Sequence, residues 1–107
     1  MKAKMLNQVV FKKFLPVVYE DLEPHLLAEL ERLRNELIEL PEDTTKEIIL
    51  ESFKNAVYRF NDIDNDENIE STIDTEEREG LCEVLSHMGA VLGLDEDGEY
   101  LDEWREW

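Results

Sequence analysis

The residues of this chain best suited to chemistry are carboxylates at alternate positions. Asp62, Asp64 and Asp66 occupy positions 1, 3 and 5 of an EF-hand-like loop, and Ile69 occupies position 8. Hard oxygen ligands at that spacing can wrap Ca²⁺. The pattern departs at two places. Position 6, which needs glycine for a sharp turn, is Glu67, and position 12, which needs a bidentate carboxylate, is Ile73. A second stretch, Asp95, Asp97 and Glu99, has Glu106 at position 12 but Tyr100 in the glycine place. Such loops predict loose cation binding rather than a tight calcium site, and no metal or cofactor is assigned. Glu79, Glu83 and His87 recur at i, i+4 and i+8 and so share a helix face. Any solvated helix offers the same geometry. His25, near a helix start, reads as a surface residue.

Catalysis finds little support. Cys82 is the single cysteine and lies inside a strongly apolar helix beside Leu81, where a buried, inert thiol is expected. It permits neither an internal disulfide nor a cysteine-only metal site. No Gly-rich phosphate loop, nucleophile elbow or zinc-ligand set is present. The expectation is a binding protein and not an enzyme.

Charge narrows the partner. The chain has 107 residues, 28 acids and 11 bases, a formal net charge of −17. That length fits one domain with a modest core, and a hydrophobic fraction of 42% suffices to build it. Residues 1–19 carry Lys2, Lys4, Lys12 and Lys13 and no acid, a net of +4. Residues 20–107 form an acidic body of net −21, and the last 47 residues alone hold 17 acids against Arg78 and Arg105. Such a surface repels nucleic acid and anionic membranes and attracts cations over long range. The clustering exceeds what solubility needs, and self-repulsion there costs stability. A cationic partner would relieve it.

No apolar run approaches the length of a membrane span, and Lys12 and Lys13 interrupt the N-terminal apolar stretch, against a signal peptide. A cytoplasmic protein of a reducing compartment is expected. The basic arm reads as a first helix whose lysines complement the acidic body.

The elements that must hold these charges read as helix nearly throughout. Met5, Val9 or Val10, and Phe14 mark a first short helix ended near Pro16. A second opens at Pro24, carries the stripe Leu26, Leu30, Leu33, Leu37 and Leu40, and stops at Pro41. Thr44-x-x-Glu47 is a capping-box pattern for a third, with Ile49, Phe53, Ala56, Val57 and Phe60 on its buried face through about Asn61. An irregular acidic loop, Asp62–Thr72, follows. Asp74 and Glu77 form a second capping box before Leu81, Val84, Leu85, Met88, Val91 and Leu92, with Gly93 placed for a left-handed C-cap. Tyr100, Leu101, Trp104 and Trp107 share one face of a last short helix, which the aromatic rings dock onto the rest. The sum is all-α, a small bundle of four to five helices in a single domain.

Several of these features occur together elsewhere. They are a helix ending in Phe60-Asn61, an acidic loop, Ile69-Glu70-Ser71 leading to Glu76-Glu77-Arg78-Glu79, then Gly89, Gly93-Leu94-Asp95 and a terminal Trp104-Arg105-Glu106-Trp107. In that order, over roughly residues 40–107, the chain resembles a family of small acidic bacterial proteins of unknown function whose members end in a short Arg-acid-Trp tail. In size, acidity and helical build it also resembles the immunity proteins of contact-dependent inhibition and other polymorphic-toxin systems. The resemblance implies an inhibitor of a cognate basic toxin, with no chemistry of its own. Charge logic points the same way: carboxylates can take the place of phosphates in a nuclease cleft, and steering speeds association. The expected contacts are Asp62, Asp64, Asp66, Glu67 and Glu70, with Asp95, Glu96, Asp97 and Glu99, accepting hydrogen bonds from toxin lysines and arginines. A monomer is expected. The competing expectations are a calcium-responsive helical module and a general acidic adaptor for some other basic protein.

Overall fold

The computed structural model describes residues 2–107. Five helices follow in order: α1 (Lys2–Asn7), α2 (Phe11–Phe14), α3 (Glu23–Glu39), α4 (Lys46–Asp64) and α5 (Thr75–Val91), with a terminal 3-10 turn over Glu99–Glu103. No strand occurs among the described residues. The molecule is a small all-α bundle.

The first expected helix is two. Val9 and Val10 are β-branched, and Val10 is extended at φ −102, ψ 101, so the chain leaves α1 after Asn7 and restarts as α2. Arg34 of α3 stabilises the break. Its guanidinium Nη1 donates to the carbonyls of Leu6 at 3.0 Å and Val9 at 2.7 Å, groups that helix continuation would have paired internally. The break shifts the buried face. Leu6, Val9, Phe11 and Leu15 are buried, Phe14 is half-buried, and Met5 is 48% exposed. The basic arm therefore folds onto the body, with α1 against both α3 and α5 and α2 against α5. Of its lysines, Lys12 pairs with Glu23 and Lys2 donates to the Leu40 carbonyl, while Lys4 and Lys13 have no acidic partner among the described residues.

Helix α3 begins one residue before Pro24, and Leu26, Leu30, Leu33 and Leu37 are fully buried as their spacing demands. Leu40 falls at the C-cap and is half-buried. The short connection turns α4 back against α3, its principal contact. The N-cap of α4 is Thr45, not Thr44. Thr45 accepts from the Ile48 N–H, whereas the Thr44 hydroxyl donates to the Pro41 carbonyl at 2.6 Å and closes the turn. The expected Thr44–Glu47 box does not form: with Thr45 as the cap the third helical residue is Ile48, which has no carboxylate to return the bond. Phe53, Ala56, Val57 and Phe60 are fully buried. Each such side chain contributes roughly 1.5–3 kcal/mol of burial free energy, alanine less.

Charged groups lock α3 to α4. Glu29 is buried, and it accepts from Arg32 Nε at 2.6 Å and from Arg59 Nε of α4 at 2.7 Å. Glu36 accepts from Arg32 at 2.7 Å and from the Ser52 hydroxyl at 3.2 Å. Burial holds the Glu29 carboxyl above its ordinary value, and the hydrogen bond and charge of Arg32 offset only part of that rise.

Helix α5 opens on the Asp74–Glu77 box expected from the sequence. Glu77 does more than cap: one oxygen accepts from the Asp74 N–H at 3.1 Å and the other from the Tyr19 N–H at 3.2 Å, tying the segment before α3 to α5. At the other end Leu94 N–H reaches the Gly89 carbonyl at 2.9 Å and Gly93 N–H the Ala90 carbonyl at 3.1 Å, a Schellman motif. Gly93 has φ +90, the left-handed conformation this motif requires. Gly80, mid-helix, has another reason to be glycine. A Cβ there would lie 2.2 Å from the Phe14 carbonyl oxygen, so α2 rests directly on the α5 backbone. Leu81, Val84, Leu85 and Met88 are fully buried, while Val91 and Leu92 are only half so.

The C-terminal segment is a 3-10 turn followed by non-helical residues rather than the short helix expected. Its aromatics still dock as expected. Tyr100 meets Phe53 edge-on at 6.2 Å, and Trp107 meets Phe60 edge-on at 6.1 Å.

Candidate functional site

The first acidic stretch is not a loop throughout. Helix α4 runs past Asn61 to Asp64, so the connection to α5 starts at Asn65. Asp62 and Asp64 sit on one helical turn two residues apart, about 200° around the axis, and so diverge rather than converge on an ion. Asp64 turns inward and accepts from the Ile73 N–H at 2.7 Å. Asp66 closes an Asx turn by accepting from the Asn68 N–H at 2.8 Å. Among the described residues, no group of three His, Cys, Asp or Glu side chains could hold a metal, the Glu79–Glu83–His87 face included. Asp62, Glu67 and Glu70 are exposed and accept no hydrogen bond within the described chain. A sequence-distant acid also shapes this connection. Asp21 accepts from the Ser71 N–H at 3.0 Å, and hydrogen bonds from Ser71 hold its carboxyl below the ordinary value.

The second stretch begins just after the Schellman turn, at the opposite end of α5. Seventeen helical residues separate the two, about 25 Å. Asp97 accepts from the Glu99 N–H at 3.1 Å, and the Asp95 carbonyl accepts from the Gly98 N–H at 3.3 Å. The two stretches do not form one cluster. The C-terminal segment connects them. Asn61 donates to the Trp104 carbonyl at 2.9 Å and accepts from the Glu106 N–H at 3.1 Å, and Asn65 donates to the Glu106 carboxylate at 3.3 Å. Glu106 thereby carries the acidic surface back to the end of α4. Asn61 looks in the sequence like an ordinary helix end; nothing local marks it as the clamp.

Between the N-terminal helices and α5 lies a groove of about 720 Å³. Met5 of α1 and Phe14 of α2 form one wall, with Ala90 and Val91 of α5 completing the apolar lining. The apolar surface is continuous with three carboxylates, Glu83, Glu96 and Asp97. Two of these are expected contact residues, and Glu83 was visible in the sequence only as part of a solvated face. Phe14 and His87 stand together in the groove, their ring centroids 5.7 Å apart. Cys82 also lines it, half-buried rather than in the core, and burial pushes its thiol up. The groove was missed because it depends on the break between α1 and α2, which leaves Met5 outward. The one available signal was the β-branched pair Val9-Val10 inside an apparent helix.

The electrostatic contrast is sharp. Of the seventeen acids from Asn61 onward, only Asp102 has a cationic partner within 4.0 Å among the described residues, Arg105 at 2.7 Å. Arg78, the other base of this half, donates to the Thr75 hydroxyl at 3.3 Å. All nine expected contact residues lack an ion pair among the described residues. No described helix is long and apolar enough to cross a membrane. No protein-family model, curated protein or solved structure matches the chain.

Proposed function

We propose that this protein is a non-catalytic immunity-type inhibitor that binds and neutralises a cognate cationic toxin, a nuclease by the logic of its charge. One observation carries the reading: the C-terminal half keeps sixteen of its seventeen carboxylates free of cationic partners among the described residues. Such a surface is poised to accept lysine and arginine donors, and it disfavours nucleic acid and anionic lipid as partners. The acids of Asp62–Glu70 and Asp95–Glu99, at opposite ends of α5, would meet separate basic groups of the toxin, one set standing where substrate phosphates stand in its cleft. The groove adds an apolar centre, which charge alone does not provide and which tight binding needs. A monomer in a reducing, cytoplasmic compartment suits a chain whose single thiol lies half-buried.

The experiment is capture of partners by this protein from its source lysate at low and moderate salt. The expected result is one small basic protein retained at moderate salt and encoded beside it. Many basic proteins, all lost at moderate salt, would reduce the surface to a nonspecific polyanion and end the immunity reading.

A further inference from the structure

We infer that the groove between α1–α2 and α5 seats an arginine side chain presented by the basic partner. This rests on the proposed function and names the chemical group it grips. The α5 positions on the groove, from Cys82 to Ala90, recur at i, i+1, i+4, i+5 and i+8, one stripe about 12 Å long. That is the scale of a long side chain and its immediate neighbours.

The lining chooses among ligands. A purely apolar group would bury Met5 and Phe14 but would also desolvate Glu83, Glu96 and Asp97 with nothing to compensate them. An acid would be repelled. A lysine matches the charge as a compact point and leaves the aromatic surface unused. An arginine lays its aliphatic stem on the apolar wall and offers a planar fork of donors to the carboxylates. Its guanidinium face can stack on the Phe14–His87 pair. The carboxylates are available for it. Glu83 and Glu96 are exposed and accept no hydrogen bond within the described chain, and Asp97 uses one oxygen on the Glu99 N–H.

The test titrates the intact, isotopically labelled protein with blocked hexaarginine and, separately, blocked hexalysine, read by amide chemical shifts. Hexaarginine is expected to give saturable shifts centred on Cys82–Val91 and Glu96–Asp97, and to bind about fivefold tighter than hexalysine. It is also expected to slow alkylation of Cys82, the single thiol. The double variant Glu83→Gln/Glu96→Gln should lose about tenfold in affinity, while Glu67→Gln/Glu70→Gln, with the same charge removed elsewhere, should lose less than about twofold. Equal loss in the two variants, equal affinity for the two peptides, or shifts centred on Asp62–Glu70 would overturn the assignment. So would a concentration-dependent dimer that Glu83→Gln/Glu96→Gln dissolves, because the groove would then belong to a second copy of the chain. If the groove fails while a single basic protein is still captured at moderate salt, the partner reading stands alone. If the groove takes arginine and no such protein is captured, that reading falls alone.

Discussion

On the α3–α4 side of the bundle, carboxylates are cross-linked by arginines; from the end of α4 through α5 and the C-terminal segment a few accept backbone N–H groups, as Glu77 and Asp64 do, but nearly all lack a cationic partner and repel one another. Glu29 and Glu36 lie between Arg32 and Arg59, and Ser52 completes the arrangement. Arginine suits that place because its planar fork reaches two acids on two helices at once. On the other side, acids outnumber bases by 17 to 2 from Asn61 onward. The same residue type thus serves cohesion in one region and remains available to a partner in the other. What differs is the ratio: residues 20–60 set 11 acids against five bases, and the residues from Asn61 onward set 17 against two.

The joint between the two sides is the N-terminal arm, and breaking it should have the largest effect. Gly80→Val places a side chain where the Phe14 carbonyl now lies, and backbone cannot swing aside as a flexible side chain could. A loss of about 3 kcal/mol is expected in urea unfolding. The same measurement on Gly93→Ala should show about 1 kcal/mol, since that position is strained by its φ of +90 but has open space around it. Equal losses would mean that α2 does not bear on α5.

Next in size is the ion-paired side itself. Glu29→Ala removes the acid that both guanidinium groups share most closely and leaves Arg32 and Arg59 with Glu36 alone. The expected cost is about 2 kcal/mol, less than for a fully buried pair because Arg32 and Arg59 are each about 40% exposed and partly solvated. A loss below about 0.5 kcal/mol in chemical denaturation would make the network ornamental and erase the contrast between the sides.

These contrasts were unequally legible in the sequence. The helices with long leucine or capping-box patterns, α3 and α5, are where periodicity put them, because burial repeats along one face and is visible as spacing. The starts and stops set by single side chains were not. Thr44 and Thr45 are adjacent, and only the hydroxyl geometry says which one caps. Asp62 and Asp64 look like loop ligands, yet α4 carries both and sends them in different directions. The split of the first helix depends on Arg34, more than twenty residues away. For the candidate site, the acids could be counted but not placed. Their position at opposite ends of α5 follows from its length. The clamp of Asn61 on Trp104 and Glu106 is a long-range pairing that no local pattern encodes.

The unbalanced side should respond to salt. Screening weakens repulsion between exposed like charges, each contact being worth a few tenths of a kcal/mol, so added salt should stabilise the protein by on the order of 1 kcal/mol in total. Glu67→Gln/Glu70→Gln, exposed and outside any hydrogen bond within the described chain, should match the wild type at high salt and exceed it by up to about 0.5 kcal/mol at low salt. Salt that destabilises the wild type would show that the ion pairs of α3–α4 outweigh the repulsion along α5.

The last expected effect is confined to alkaline solution and is the most specific, because it reads the field of the unbalanced side from inside the bundle. The Tyr100 hydroxyl is buried without a hydrogen-bond partner in the described chain. A Cβ on Gly89 would lie 2.2 Å from it, so it rests against the α5 backbone. Burial, with Asp95 and Asp97 adding repulsion, pushes its pKa up to about 12 from the ordinary 10.0. The folded state therefore holds this proton where the unfolded chain has released it. Its stabilisation is complete below pH 10 and fades as pH rises from 10 toward 12. Tyr19 is shifted the same way by its hydrogen bond to Asp74, so the comparison must be made by difference. Tyr100→Phe should lose part of the stability decline above pH 10, measured as urea midpoints across the alkaline range. Asp95→Asn/Asp97→Asn should move tyrosinate formation to lower pH while leaving a residual shift, because burial is the larger cause. If the double variant abolished the shift entirely, repulsion rather than burial would dominate at Tyr100. The unbalanced charge would then reach further into the core than the groove and the exposed acids imply.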